Sequence, residues 1–348
     1  MDISHKHIVE SSASVREVLE QLDSIASDAI VFVVDHDKVF IGSLTDGDIR
    51  RGLIKGLGLE HDITEFIQSN PLYIIKDELD FDQLLEWRAN NYRLIPILDQ
   101  QRKIIDIINF RLQRSYLPVD AVIMAGGRGE RLRPLTDNTP KPLLKINGKP
   151  IIEYNIDLLR DYGVKNVTLS IRYLGQKLID YFKDGSSKGM NINYVRENTP
   201  LGTIGAVSII KEFSNDYILI MNSDILTNID FENLFKRLID MRGDMIVATT
   251  PYEVTIPYGV IETDSDNIIA LKEKPTYTYY SNAGIYIIKK SLLKYIPNKS
   301  LYNATDLIEL LIEKGKKVIQ FPILGYWLDI GKPNDFEKAQ RDIENIKF

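Results

Sequence analysis

Between residues 125 and 146 the chain reads AGGRGERLRPLTDNTPKPLLKI, directly after a run with the apolar character of a strand. Gly126, Gly127 and Gly129 let three backbone N–H groups turn toward one point, and Arg128, Arg131, Arg133 and Lys141 add positive charge to the same segment. Backbone donors in a tight bend, together with cationic side chains, are what a triphosphate needs. Residues 126–149 hold 6 basic side chains against 2 acidic ones, a local patch suited to a small polyanion. The segment is not a P-loop, because no Gly-Lys-Ser/Thr follows. Nor is it the dinucleotide fingerprint, because Leu132 stands where the third glycine belongs. Three glycines alone are equally compatible with an ordinary turn beside a solvated basic face.

The surrounding elements must hold this loop at a strand end. VDAVIMA (119–125), KNVTLSI (165–171), DYILIM (216–221) and DMIVATT (244–250) read as buried parallel strands, with helices expected over 151–162, 175–183, 204–213 and 231–241. That alternation predicts an α/β, doubly wound sheet, with an irregular, mixed subdomain after about residue 255. Residues 112–118 read as a linker, ended by Pro118.

Before the linker a different pattern occurs twice. Ser14 and Glu17 form a capping-box pair ahead of Val15, Val18, Leu19, Leu22 and Ile25 at helical spacing. Two β-rich runs follow, 29–35 and 38–44, and then a helical segment, 46–57. About 65 residues later Asp80 precedes a second helical pattern, followed by β-rich runs at 93–99 and 103–110. The repeat predicts two similar units packed together, about 1–66 and 67–111.

Composition narrows the class. The chain has 348 residues, 44% hydrophobic and 26% charged, and the net charge is −6. Residues 1–117 hold 13 Lys and Arg against 20 Asp and Glu, and the remainder 30 against 29, so no basic face for nucleic acid is expected. The absence of cysteine excludes a disulfide framework, a thiolate zinc site and a cysteine nucleophile. MDISHKHIVE has no apolar leader, and no run approaches the ~20 apolar residues of a membrane span, so a cytoplasmic, unexported protein is expected.

Taken whole, the loop segment resembles the signature of the sugar nucleotidyltransferases, the NDP-sugar pyrophosphorylases, of form GGxGxRLxPLTxxxPKPxL, with every fixed position present. ENTPLGTIGA (197–206), MNSD (221–224), PYGVIE (257–262), LKEKP (271–275), SNAGIY (281–286) and YWLDIGKPNDF (326–336) match later family motifs in order, so the resemblance spans 119–340. It implies a Rossmann-like, GT-A-like mixed sheet over 119–348 that joins an NTP to a sugar 1-phosphate. By motif, Arg131 and Lys141 would neutralise charge at the α-phosphate, while Ala125, Gly126, Gly127, Gly129, Glu197, Gly202 and Thr203 would meet the nucleotide. Asp224 and Asp329 take the positions of Mg²⁺ ligands. Tyr258, Gly259, Glu273, Lys274, Asn282 and Gly284 align with contacts to the sugar phosphate. Such a transfer needs positioning and charge neutralisation more than a strong base, because the attacking phosphate oxygen is already ionised. The sequence departs from the common pattern at Glu130, which is expected to point away, at Ser223, and at Ile204, a position where a change can reshape the pocket.

Residues 1–111 resemble a tandem pair of CBS (β-α-β-β-α) domains, best matched by GSLTDGDIRR (42–51). That resemblance implies AMP, ADP or ATP as a ligand, with Thr45 on a phosphate and Asp48 on a ribose hydroxyl. In the second repeat Asn109 and Leu112 replace the corresponding Thr and Asp, and a ligand-free pair that supports dimerisation is the alternative. A CBS pair before a transferase is similar to mannose-1-phosphate guanylyltransferase-like proteins. GTP and a hexose or amino-hexose 1-phosphate are therefore the expected substrates, with dTTP, UTP and CTP open, surface glycan synthesis the expected destination, and a homo-oligomer the expected assembly. An inactive nucleotide sensor is the competing reading, which the retention of Arg131, Lys141, Asp224 and Asp329 argues against.

Overall fold

The computed structural model describes residues 6–25, 27–68 and 70–346, so the first half of MDISHKHIVE lies outside the described residues. The chain divides into two compact units, Met1–Tyr116 and Leu117–Phe348, with the boundary inside the 112–118 segment.

In the first unit, β1 (Ile8–Glu10), α1 (Val15–Ser24), β2 (Ile30–Val34), β3 (Phe40–Thr45) and α2 (Asp46–Ile54) are followed by β4 (Ile74–Ile75), α3 (Phe81–Ala89), β5 (Leu94–Leu98) and β6 (Ile104–Asn109). The sequence repeat corresponds to two three-stranded sheets, β1-β2-β3 and β4-β5-β6. In each, the first pair is parallel and the second antiparallel. Ser14 and Glu17 cap α1 reciprocally, which satisfies backbone donors that the first helical turn leaves unpaired. The buried stripe Val15, Val18 and Leu22 packs onto Val31, Val33 and Leu44 of the first sheet.

The second unit begins with β7 (Val119–Ala125), the turn strands β8 (Lys145–Ile146) and β9 (Lys149–Pro150), and α4 (Ile151–Asp161). Next come β10 (Asn166–Ile171), α5 (Gly175–Phe182), β11 (Asn191–Arg196), β12 (Tyr217–Asn222), β13 (Ile225–Thr227) and α6 (Phe231–Asp240). The chain then forms β14 (Met245–Thr255), β15 (Val260–Asp264), β16 (Asn267–Lys272), β17 (Thr276–Lys289), α7 (Ala304–Glu313), β18 (Val318–Pro322), β19 (Trp327–Asp329) and α8 (Pro333–Asp342). Seven strands pair in the order β11-β10-β7-β12-β17-β14-β18, with β17 antiparallel to both neighbours. The chain leaves β7 toward β10 and β11, then returns to β7's other edge as β12. The switch point of the sheet therefore lies between β7 and β12, at the strand ends where α/β folds bind ligands. Ala125 pairs with Ile171, and Met124 with Asn222, so the loops after these strands leave the sheet side by side.

Two expectations need correction. β14 runs in the direction of β12 but is separated from it by antiparallel β17, so the four expected strands are not one continuous parallel block. The helix expected over 204–213 is a short 3-10 turn, Gly205–Ile209. The N–H groups of Ile204 and Gly205 are both taken by the Tyr302 carbonyl, at 3.2 and 3.1 Å, and a Cβ at Gly205 would lie 2.5 Å from the Ser300 oxygen. Close backbone packing decides this segment, and its glycine and β-branched residues offer little helix propensity to oppose it.

Beyond Thr249 and Asn282, β14 and β17 leave the sheet as a two-stranded arm tipped by the β15–β16 hairpin, and nearly every residue of this arm is exposed. No described helix is long and apolar enough to cross a membrane.

Candidate active site

The glycine loop reaches the switch point for a local reason. After β7 the chain turns at Gly129, whose φ of +65° is a left-handed conformation that favours glycine. Space is restricted there as well: a Cβ would lie 2.9 Å from Thr136 Cγ2 and 3.0 Å from Lys141 Cβ. The Thr136 hydroxyl donates to the Gly129 carbonyl at 2.9 Å and closes the bend. Lys141, 9% exposed, pairs through Nζ with Asp224 Oδ2.

Asp224 follows β12, and Asp329 ends β19, more than a hundred residues later. Antiparallel pairing of β13 with β19 places Asp329 opposite Ile225, and the Ile330 N–H donates to the Asp224 carbonyl at 3.0 Å. Asp224, in the turn just before β13, and Asp329, at the end of β19, are thus brought to the same end of this two-stranded sheet. Asp329 as a whole keeps solvent access, but burial of its carboxyl group, with the Asp224 charge beside it, raises its pKa. Lys141 and Arg131 pull the other way. Arg131 also passes the backbone at Gly331, where a Cβ would lie 3.3 Å from its Nη2.

Two cavities meet here. The first, about 280 Å³, is lined by Gly126, Gly127, Lys141, Arg172, Glu197 and Asp224, among others. The second, about 310 Å³, is lined by Asn282, Gly284, Tyr286, Trp327 and Asp329, among others. Thr203 and Asn222 border both, so one carboxylate faces each cavity across a shared wall. Gly202 has a φ of +78°, and a Cβ there would lie 2.5 Å from the Tyr302 oxygen. Thr203 holds that wall by accepting from the Ala304 N–H at 2.9 Å. Glu197 is buried, accepts from Ser170 Oγ at 2.5 Å and from the Leu201 N–H at 3.2 Å, and closes against Gly126. Asn282 accepts from the Gly284 N–H and the Tyr286 hydroxyl, both at 2.9 Å.

The structure therefore gathers Gly126, Gly127, Lys141, Glu197, Gly202, Thr203 and Asp224 around one cavity, and Asn282, Gly284 and Asp329 around the other. Ala125 and Gly129 support the loop from behind, and Arg131 approaches Asp329. Tyr258, Gly259, Glu273 and Lys274 are not brought to either cavity, because they lie on the exposed arm. Glu130 is exposed and lines neither cavity, Ser223 lines the first, and Ile204 is buried in the core. Arg172 was not singled out by any motif. It follows β10, donates Nε to the Gly126 carbonyl at 3.3 Å and lines the first cavity. Its position at the end of a strand flanking the glycine loop is the signal that could have found it.

Thr45 and Asp48 in the first unit form the capping box of α2. Asp48, 6% exposed, accepts from Thr45 N–H and Oγ1, Arg51 and Gln68. Those contacts satisfy both residues without a ligand.

The nucleotidyl transferase family model matches residues 120–346. The chain belongs to the nucleotidyl transferase family. The D-glycero-alpha-D-manno-heptose 1-phosphate guanylyltransferase of Aneurinibacillus thermoaerophilus is 32% identical over 65% of this chain and 99% of its own length. The UTP–glucose-1-phosphate uridylyltransferase of a Synechocystis strain is 31% identical over 66% of this chain, which spans only 65% of that relative. The crystal structure of HddC from Yersinia pseudotuberculosis is 27% identical with a TM-score of 0.51, covering 65% of this chain and 99% of that one. Relatives of this nucleotidyl transferase thus use different bases, and each of these matches covers about two thirds of the chain.

Asp224 and Asp329 are the residues here that could hold a divalent cation. Among the described residues no group of three or more His, Asp or Glu side chains forms a metal cage. Two carboxylates are nevertheless a donor set that Mg²⁺ can use where substrate phosphates and water complete its shell.

Proposed function

We propose that the chain transfers a nucleotidyl group from an NTP, GTP favoured, to a sugar 1-phosphate of the hexose or amino-hexose class. A phosphate oxygen of the sugar phosphate attacks the α-phosphorus, the bond to the β-phosphate bridging oxygen breaks, and pyrophosphate leaves. The observation carrying this reading is the meeting of Lys141, Asp224 and Asp329 where the two cavities share the Thr203–Asn222 wall. One cavity suits the nucleotide and the other the sugar, which holds the two reactants in line.

The Gly126–Gly129 bend presents backbone donors to the triphosphate, and Lys141 and Arg131 offset charge that builds on the transferring phosphoryl group. Asp224 and Asp329 would hold Mg²⁺, which when bound neutralises phosphate charge and orients the oxygens. The guanylyltransferase relative supports GTP, and the uridylyltransferase relative keeps UTP among the candidates. The first unit is read as a CBS pair supporting a regulatory or dimerising role, on the strength of its two like-ordered sheets.

The test is pyrophosphate release with GTP, UTP, dTTP, CTP and ATP against several hexose and amino-hexose 1-phosphates, with and without AMP. Turnover is expected with one pairing well above the rest, and lost in Asp224→Ala. Absence of turnover in every pairing overturns the proposal, and an Asp224→Ala variant with unchanged rate removes Asp224 from the mechanism.

A further inference from the structure

A further cavity of the second unit, about 390 Å³, lies behind the loop that walls the first cavity. Leu201 lines both, so the two spaces are back to back across one side chain. The loop divides its residues between them. Glu197 turns inward, accepting from Ser170 Oγ and the Leu201 N–H, while Asn198 and Thr199 line the outer cavity. The proposed reaction uses the inner side alone.

The outer lining carries charge of one sign. Arg196, the last residue of β11, and Lys299 bring two cations, and among the described residues no carboxylate lines this cavity. Surface lysines elsewhere in the unit pair with acids, as Lys236 does with Asp240 and Lys272 with Glu262. Neither Arg196 nor Lys299 forms an ion pair among the described residues, and the Arg196 guanidinium donates to the neutral Gln176 Oε1 at 3.3 Å. Two like charges lining one recess repel each other, and an anion between them removes that cost. The base of the lysine is fixed at the rim. Its φ of +53° is a left-handed conformation that residues with a Cβ seldom adopt, and its N–H donates to Ser208 Oγ at 3.1 Å. Ser208 in turn donates to the Gly205 carbonyl at 2.7 Å, which ties Lys299 to the 3-10 turn Gly205–Ile209.

The uncharged lining says what accompanies the anion. Val195, Leu201 and Ile209 form an apolar floor, with Asn198 and Thr199 as neutral hydrogen-bonding groups beside it. A bare inorganic anion would use the two cations and leave the floor against water. The volume is within the range of small-molecule sites. A guanidinium fork and an ammonium point charge together suit the oxygens of a phosphate.

We propose that this cavity is a second ligand site, which takes a phosphate monoester with its phosphate between Arg196 and Lys299 and its ring-shaped or apolar body on Val195, Leu201 and Ile209. The site is independent of the catalytic reading.

Titration calorimetry of the full chain at low ionic strength, with phenyl phosphate as the probe, should show saturable binding, and inorganic phosphate should bind at least about tenfold more weakly. Arg196→Gln combined with Lys299→Gln should weaken phenyl phosphate at least about 100-fold, because each charge-assisted contact is worth about tenfold or more. Thr199→Glu, at an exposed position of the rim, should weaken it about tenfold without touching either cation. Arg172→Gln in the first cavity should leave it within about twofold. Absence of saturable binding to the wild type overturns the proposal. So does binding that survives both the double substitution and Thr199→Glu, or that is lost in Arg172→Gln instead, which would put the probe in the first cavity. Inorganic phosphate bound as tightly as phenyl phosphate would show an adventitious ion only, and overturns it as well.

Discussion

Replacing Gly129 with alanine tests whether the loop depends on close packing or only on its bend. The new Cβ meets Thr136 Cγ2 at 2.9 Å and Lys141 Cβ at 3.0 Å, and Thr136 cannot retreat without losing its bond to the Gly129 carbonyl. Left-handed backbone costs alanine about 1–2 kcal/mol, and overpacking adds about 1–3 kcal/mol, for a total of about 2–5 kcal/mol. In a unit of this size each kcal/mol lowers the melting temperature by about 2–4 °C, so a drop of roughly 4–20 °C is expected. Gly148 supplies the comparison: its φ is +80°, but a Cβ there meets nothing within 4 Å. Gly148→Ala should show the backbone cost alone, about 1–2 kcal/mol. The functional difference should be larger. Pushing Lys141 aside by about 1 Å costs on the order of 100-fold in kcat, whereas Gly148→Ala should stay within about twofold of wild type. Thermal melts and pyrophosphate-release rates on both variants give the answer. If Gly129→Ala melts with Gly148→Ala and keeps the wild-type kcat, the claim that this glycine is required by its neighbours is wrong.

Arg172→Ala should raise the KM for NTP about tenfold and change kcat less than threefold, because the guanidinium lines the cavity read as the nucleotide's and holds the Gly126 carbonyl; unchanged initial-rate KM values would remove it from the site. Burial alone would raise the Asp157 pKa, but hydrogen bonds and charge from Lys149 and Lys188 outweigh it and hold the carboxyl below its ordinary value. That contribution is fully present above the unfolded pKa near about 3.9 and is lost as pH falls through the depressed folded value. Lys188→Met should therefore cost about 1–3 kcal/mol in urea denaturation at pH 7, and the difference from wild type should shrink at pH 3. Thr45→Val should destabilise the first unit by about 1 kcal/mol through loss of the α2 cap, measured by thermal unfolding without nucleotide. A loss seen only with AMP present would assign Thr45 to a ligand instead of the helix.

The legible parts of this chain are those set by local chemistry. The Ser14–Glu17 cap, the apolar strand 119–125 and the glycine bend each state their structure within a few residues, and all three are found in place. The 204–213 segment was illegible for the opposite reason. Its conformation is dictated by the backbone of residues 300–302, which local spacing cannot register. The same limit applies to Asp224 and Asp329. Either carboxylate alone reads as a turn or cap residue, and their proximity arises from a three-residue pairing of β13 with β19. Motif order could suggest the pair, but only the sheet supplies the reason the two negative charges tolerate each other, namely Lys141 and Arg131 brought in by the glycine loop. The arm inverts this relation. Its sequence reads only as an irregular, mixed stretch after about residue 255, yet the strand pairing reveals alternation, which normally signals a half-buried strand. Here Ile261, Ile268 and Leu271 are more than half exposed, so a period of two records strand pairing and not burial.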